Sequence, residues 1–165
     1  MAQVTFKGQP VQTTGDLPKV GQTVSFNQLV KSDLSEATLS SYADKYKVLN
    51  IFPSIDTATC ATSVRKFNQE AAALKSTVVL NISADLPFAI SRFCGAEGIK
   101  NCESLSTFRS DFGQKWGLTL KESPLAGLLA RAVFVIAPDN KVLHAELVAE
   151  IASEPNYDAV LRAVR

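Results

Sequence analysis

The middle of the chain constrains the fold most. Residues 47–52 (Lys-Val-Leu-Asn-Ile-Phe) form a compact, largely apolar run that stops at Pro53. Residues 58–74 carry Val64, Phe67, Ala71 and Leu74, and spacings of three and four place these on one stripe of a helix. Residues 77–82 (Thr-Val-Val-Leu-Asn-Ile) are a second apolar run. Strand, helix, strand in that order predicts a parallel pair joined by a right-handed crossover.

Weaker signals fill in the surroundings. Residues 4–6 and 10–12 flank Lys7-Gly8-Gln9 and read as a hairpin turned at Gly8. A short strand is expected within 24–30 and a helical turn within 35–42. Asp85 is placed to cap a helix over 86–94, with Pro87 in its first turn and Gly95 as its stop. After a loop, 110–116 reads as helical. The apolar runs 132–137 and 142–148 are split by the turn residues Pro138-Asp139-Asn140, and 156–164 reads as a closing helix. This order of elements is that of a thioredoxin-like α/β fold: an N-terminal β-hairpin and a central mixed sheet flanked by helices.

The 165 residues suit one domain, 1–165, with its own core. A formal charge of +1, from 17 basic and 16 acidic side chains without a basic run, offers nothing to nucleic acid. The opening stretch MAQVTFKGQPVQTT lacks a signal-peptide pattern, and no apolar run approaches membrane-spanning length. The expected setting is the cytoplasm. Three cysteines are too few for a secreted disulfide scaffold, so free, catalytic or redox-active thiols are expected.

Cys60 stands where the polar loop after the first buried strand enters the long helix. It precedes Val64 by four residues and so extends the apolar stripe, and periodicity alone leaves it open between an inert core residue and a reactive one. Three features favour chemistry. The first turn of a helix stabilises an anion. The carboxyl end of a parallel strand is where sites form in open α/β sheets. Thr57 and Thr59 place hydroxyls beside it, although a plain capping role is the duller account of either. Zinc is a poor fit, because Cys60, Cys94 and Cys102 form no C-x-x-C pair and His144 is the sole histidine. A Cys–His hydrolase would need that His144, which is more simply a half-exposed strand residue.

A dithiol exchange site would carry a second cysteine at position 57; here Thr57 stands instead. Local disulfide chemistry is lost while a hydroxyl remains beside the thiol, which suits an oxidant as target. Arg131 heads the apolar run Ala132-Val133-Phe134-Val135-Ile136. A charge entering such a strand needs a partner: either a carboxylate at the sheet end or the Cys60 thiolate, with a bound oxygen polarised alongside.

Pro53-Ser54-Ile55-Asp56-Thr57-Ala58-Thr59-Cys60 fits P-x-x-x-[TS]-x-x-C and resembles the active-site motif of the peroxiredoxins. The stretches NIFPSIDTATC, SVRKFN, ISADLPFA, SRFCGAEG, LSTFR and the Arg-Ala-Val strand extend the likeness over most of the chain, to the bacterial thiol peroxidases within that family. The resemblance implies roles. Cys60 would be the peroxidatic cysteine and Cys94 the resolving cysteine of an atypical, intramolecular two-cysteine enzyme. Thr57 would hydrogen-bond peroxide and thiolate, Pro53 would shield the thiolate, and Arg131 would hold thiolate and substrate oxygen. It further implies thioredoxin as reductant, a homodimer and a preference for alkyl hydroperoxides over hydrogen peroxide. No metal, haem or flavin is called for, because sulfur carries the electrons. The segments around Cys60 and Cys94 are expected to rearrange between redox states. Cys102 has no role in that pattern: a dispensable thiol or a second resolving thiol are its two readings. A redox sensor using the same sulfenic chemistry, and an inert interaction domain, are the competing functions. The apolar loop 124–129 ahead of Arg131 is a candidate lining for a pocket or a dimer interface.

Overall fold

The computed structural model describes residues 1–26 and 28–164. At its centre, β5 (Tyr46–Ile51), α1 (Ala58–Ala71) and β6 (Thr77–Ser83) form the expected crossover. The two strands are parallel and in register from Tyr46 opposite Thr77 to Ile51 opposite Ile82. The other strands are β3 (Leu29–Lys31), β4 (Glu36–Ala37), β7 (Glu103–Ser106), β8 (Ala132–Ile136) and β9 (Val142–Leu147). They complete a seven-stranded mixed sheet of order β4-β3-β7-β6-β5-β8-β9.

Alternation along the central strands sorts the core into two layers. Leu49, Ile51, Leu80, Ile82, Phe134 and Ile136 point to one face and pack with Leu29, Phe112 and Trp116. Val48, Val79, Val133 and Val135 point to the other, beneath Phe67 of α1 and Val160 of α4 (Tyr157–Ala163). Asn156 caps α4 by accepting from the Ala159 N–H at 3.1 Å. The N-terminal hairpin, β1 (Gln3–Phe6) and β2 (Gln9–Gln12), lies apart from the sheet order. Its turn is Lys7-Gly8, both with positive φ, the geometry that a two-residue hairpin loop requires.

Several boundaries differ from the sequence pattern. β7 falls in the stretch read as loop. It is four residues long and half serine, so no apolar run marks it, yet it pairs with both β6 and β3. The strand expected within 24–30 is confined to β3; Asn27 lies outside the described residues. The helical turn within 35–42 divides into β4 and a 3₁₀ turn, Leu39–Tyr42. The first long helix ends at Ala71 rather than at 74. The helix around 110–116 is one turn, α3 (Phe112–Lys115). Finally, α2 spans Pro87–Glu97 and runs through Gly95. The left-handed residue that ends it is Gly98 (φ 66°), whose N–H bonds the Cys94 carbonyl. Leu86, not Asp85, occupies its N-cap, with Pro87 as the first helical residue. Among the described residues no helix is long and apolar enough to cross a membrane.

Candidate active site

β5 delivers the chain to Pro53 at the carboxyl end of the central strands, and α1 starts five residues later. Cys60 lies in its first turn, 0% exposed, against Phe52, Ile55 and Val64, with Phe93 and Ile99 packed onto the same cluster. Pro53 is buried and Thr57 is exposed.

Arg131, the residue before β8, closes the site. It is 2% exposed and fixed at two points: Nε donates to the Ile151 carbonyl at 2.8 Å, and Nη2 donates to the Cys60 Sγ at 3.2 Å. Its Nη1 is buried without a partner. Among the described residues no carboxylate pairs with Arg131, so of the two readings of this charge the structure realises the contact with sulfur. Ile151 belongs to a loop that also holds α1: the Thr59 hydroxyl donates to the Ala152 carbonyl at 3.1 Å. Glu150 organises this loop. Its carboxylate accepts from Ala152 N at 2.8 Å, from Gly8 N at 2.9 Å and from the Thr5 hydroxyl at 3.1 Å, clamping the N-terminal hairpin to it. These bonds hold the Glu150 carboxyl below the usual range.

Thr57 occupies the N-cap position but makes no capping bond through its side chain. Its hydroxyl donates to the Ser54 carbonyl at 3.0 Å instead, which leaves the oxygen's lone pairs free to accept. In this state it makes no hydrogen bond to Cys60.

Cys94 is not bonded to Cys60. On α2, Phe93 packs onto the Cys60 cluster, whereas Cys94 lies 3.7 Å from the Ser104 hydroxyl. It lines a cavity of about 390 Å³ with Lys31, Ile90, Cys102, Glu103 and Ser104. Burial pushes the Cys94 thiol up, with Ser104 working against it. Burial pushes Cys102 further, to about 12, with Asn81 working against it. All three cysteines are free thiols. His144 sits half-buried in β9 opposite Val135 and makes no hydrogen bond to Cys60, so the pair a hydrolase would need is not brought together. The 124–129 loop uses Leu125 and Leu129 in packing, against the hairpin and the main core respectively.

The sequence pattern did not reveal three supports of the site. Glu150 gives no local signal. Asp85 is visible as a cap candidate but serves elsewhere: its carboxylate accepts from Ser54 and Ile55 in the loop before α1. Beneath Cys60 runs a buried polar chain. Ser63 donates to the Cys60 carbonyl at 2.8 Å, and the Asn50 amide donates to Ser63 at 3.3 Å and to Asn81 at 3.0 Å. Asparagines inside two apolar strands were the available hint.

The family model for redoxins matches residues 8–161. The chain is 51% identical over 164 residues to the thiol peroxidase of Corynebacterium glutamicum, the match covering 99% of each chain. It is 50% identical over 164 residues to the thiol peroxidase of Mycobacterium bovis, again covering 99% of each. Its structure resembles that of a peroxiredoxin-like protein from Aquifex aeolicus with a TM-score of 0.93 and 39% identity, covering 99% of this chain and 96% of that one.

Proposed function

This chain belongs to the redoxin family and, within it, to the thiol peroxidases; it is a thiol-dependent peroxidase, and we propose that Cys60 attacks the peroxide and Cys94 resolves the product. The observation that carries this reading is the buried Arg131–Cys60 contact at 3.2 Å. A guanidinium already fixed by the Ile151 carbonyl need not reorganise when negative charge develops. Nη2 holds the sulfur, and Nη1, buried and unpartnered, is the donor available to the peroxide oxygen. Thr57, its own proton committed to Ser54, accepts the hydrogen bond of the peroxide O–H. Buried Pro53 and the apolar cluster exclude water from the sulfur.

The Cys60 thiolate bonds to the terminal peroxide oxygen as the O–O bond breaks. The leaving oxygen takes a proton and departs as alcohol or water, and the sulfur is left as a sulfenic acid. The Cys94 thiol then condenses with it, releasing water and forming a disulfide. A dithiol of the thioredoxin type returns both cysteines to thiols by exchange. Phe52, Ile55, Val64 and Phe93 around the sulfur favour an alkyl hydroperoxide over hydrogen peroxide. The chain works as one domain, 1–165, in the cytoplasm and as a homodimer; the exposed Leu86, Phe88 and Phe108 are apolar surface that a second copy would cover.

Peroxide reduction coupled to NADPH through thioredoxin reductase and thioredoxin tests this. Wild type is expected to turn over, Cys60→Ser to be inactive, and Cys94→Ser to react once and stop. Full turnover by Cys60→Ser would overturn the mechanism. Poor steady-state turnover by wild type, despite oxidation of Cys60, would favour a sensor.

A further inference from the structure

By sequence pattern Asp85 is the N-cap of α2, but its carboxylate is bound across to the loop that precedes α1. Oδ1 accepts from the Ser54 hydroxyl at 2.8 Å. Oδ2 accepts from the Ile55 N–H and from the Ser83 hydroxyl, each at 2.7 Å. The Asp85 carbonyl accepts from the Ser106 hydroxyl of β7. What the carboxylate holds leads directly to the reacting sulfur. Ile55 packs against Cys60. The Ser54 carbonyl accepts from both the N–H and the hydroxyl of Thr57, at 3.2 and 3.0 Å. In the other direction, Asp85 is two residues from Pro87, where α2, the helix carrying Cys94, begins. One side chain therefore ties the segment presenting Thr57 and Cys60 to the root of the helix presenting Cys94.

The two thiol steps make opposite demands on that tie. Attack on peroxide needs residues 54–60 held still, so that Thr57, Cys60 and Arg131 converge on one oxygen pair. Condensation needs the same segment released. Cys94 faces Ser104 while Phe93 occupies the side towards Cys60, and a disulfide requires Cα atoms within about 7 Å. Two charge-assisted hydrogen bonds, from the Ser54 hydroxyl and the Ile55 N–H to Asp85, must be broken or carried along when the Cys60 turn leaves.

We propose that Asp85 is a positioning residue that sets the ratio of the two steps: it favours oxidation of Cys60 and slows its capture by Cys94. This rests on the assignment of Cys60 and Cys94 above. The chemistry is unchanged by it. Cys60 sulfur is oxidised as the peroxide O–O bond is reduced, and the sulfenic hydroxyl leaves as water with the Cys94 proton. A sulfenic acid that waits longer meets a second peroxide, which adds an oxygen and yields sulfinic acid. Asp85 therefore also sets how readily the enzyme is inactivated by its own substrate.

The test uses Asp85→Ala and Asp85→Asn, each with and without Cys94→Ser. In the Cys94→Ser background, rapid mixing with an organic hydroperoxide and trapping by dimedone reads the first step alone. Asp85→Ala is expected to slow it about tenfold, the scale of one or two lost charge-assisted bonds. With Cys94 present, mass spectrometry after graded peroxide reads sulfinic acid against disulfide. Asp85→Ala is expected to shift that ratio about tenfold towards disulfide, and Asp85→Asn, which keeps one acceptor oxygen, to restore part of both. A role in stability alone would lower Tm and leave the ratio unchanged, and that result would overturn the proposal. Should Asp85→Ala fail to fold, Ser54→Ala removes the Oδ1 bond, along with the bond its Oγ accepts from the Asp56 N–H at 3.2 Å, and must show the same opposed changes in smaller measure. Absence of sulfenic acid at Cys60 in the Cys94→Ser protein would overturn the thiol assignment and this proposal with it. Normal sulfenic acid with an unshifted ratio overturns this proposal alone.

Discussion

Phe93 and Cys94 are neighbours on α2 yet serve different surroundings: Phe93 packs onto the cluster around Cys60, and Cys94 turns to Ser104 and an open cavity. Consecutive helical residues differ by about 100° in direction, so the face of α2 that meets Cys60 is held by the phenyl ring. Joining the two thiols is expected to unwind or roll α2 and to release the first turn of α1 from Arg131.

Oxidation should therefore loosen α2. Hydrogen exchange at the amides of residues 87–97 is expected to rise by about tenfold or more when one equivalent of peroxide is added. The Cys94→Ser protein should show no such rise. Equal protection in the reduced and disulfide forms would refute the rearrangement.

Arg131 should be irreplaceable by another cation. Lysine keeps the charge but has no fork to span the Ile151 carbonyl and the Cys60 sulfur together. Arg131→Lys is expected to lower kcat/KM for peroxide by about 10-fold and Arg131→Met by about 100-fold or more. Competition against a second peroxidase of known rate measures both, and unchanged Tm values would exclude unfolding as the cause.

Cys102 should make the fold sensitive to alkali. An unfolded thiol titrates near about 8.5, and burial pushes the folded Cys102 up to about 12. The folded chain thus holds this proton more tightly than the unfolded chain. The resulting stabilisation is complete below the unfolded value and is lost progressively as pH rises towards the folded one. Urea midpoints should fall more steeply between about pH 8 and about pH 10.5 for wild type than for Cys102→Ala. Parallel pH dependences would show that Cys102 does not titrate differently on folding. The Cys102→Ala protein should also keep its peroxide turnover if Cys94 is the resolving thiol proposed above; lost turnover would make Cys102 the resolving thiol.

Substrate preference should follow the apolar wall. A bulky organic hydroperoxide is expected to give kcat/KM about tenfold above hydrogen peroxide, and Ile55→Ser or Phe93→Ser to narrow the gap. Equal ratios in wild type and variants would place substrate selection elsewhere.

The central crossover was legible because β5, α1 and β6 each carry an unbroken apolar pattern. The motif from Pro53 to Cys60 and the charge at Arg131 could be read for the same reason: each is a chemical exception at a place the pattern defines. β7 was not, because Ser104 and Ser106 turn polar groups towards the helix layer and Leu105 alone marks the opposite face. Gly95 misled because glycine is permitted at a helix stop but does not force one; the left-handed turn falls at Gly98. Asp85 misled for a related reason. An acidic residue before proline satisfies the rule for a cap, and only the tertiary approach of Ser54 and Ile55 shows where its oxygens are used. Glu150 could not have been found locally at all, since its partners Thr5 and Gly8 lie at the opposite end of the chain.

That clamp between Glu150 and the hairpin affects when the enzyme becomes active during synthesis. Thr5 and Glu150 are 145 positions apart, and the Ile151 carbonyl that seats Arg131 lies on the far side of this pairing. Closing so long a loop comes late in folding, after the local crossover has formed. A growing chain on the ribosome would display Cys60 on a formed helix while its arginine remained unseated. Reactivity towards peroxide would then be withheld until residue 151 has emerged and its loop has met the hairpin.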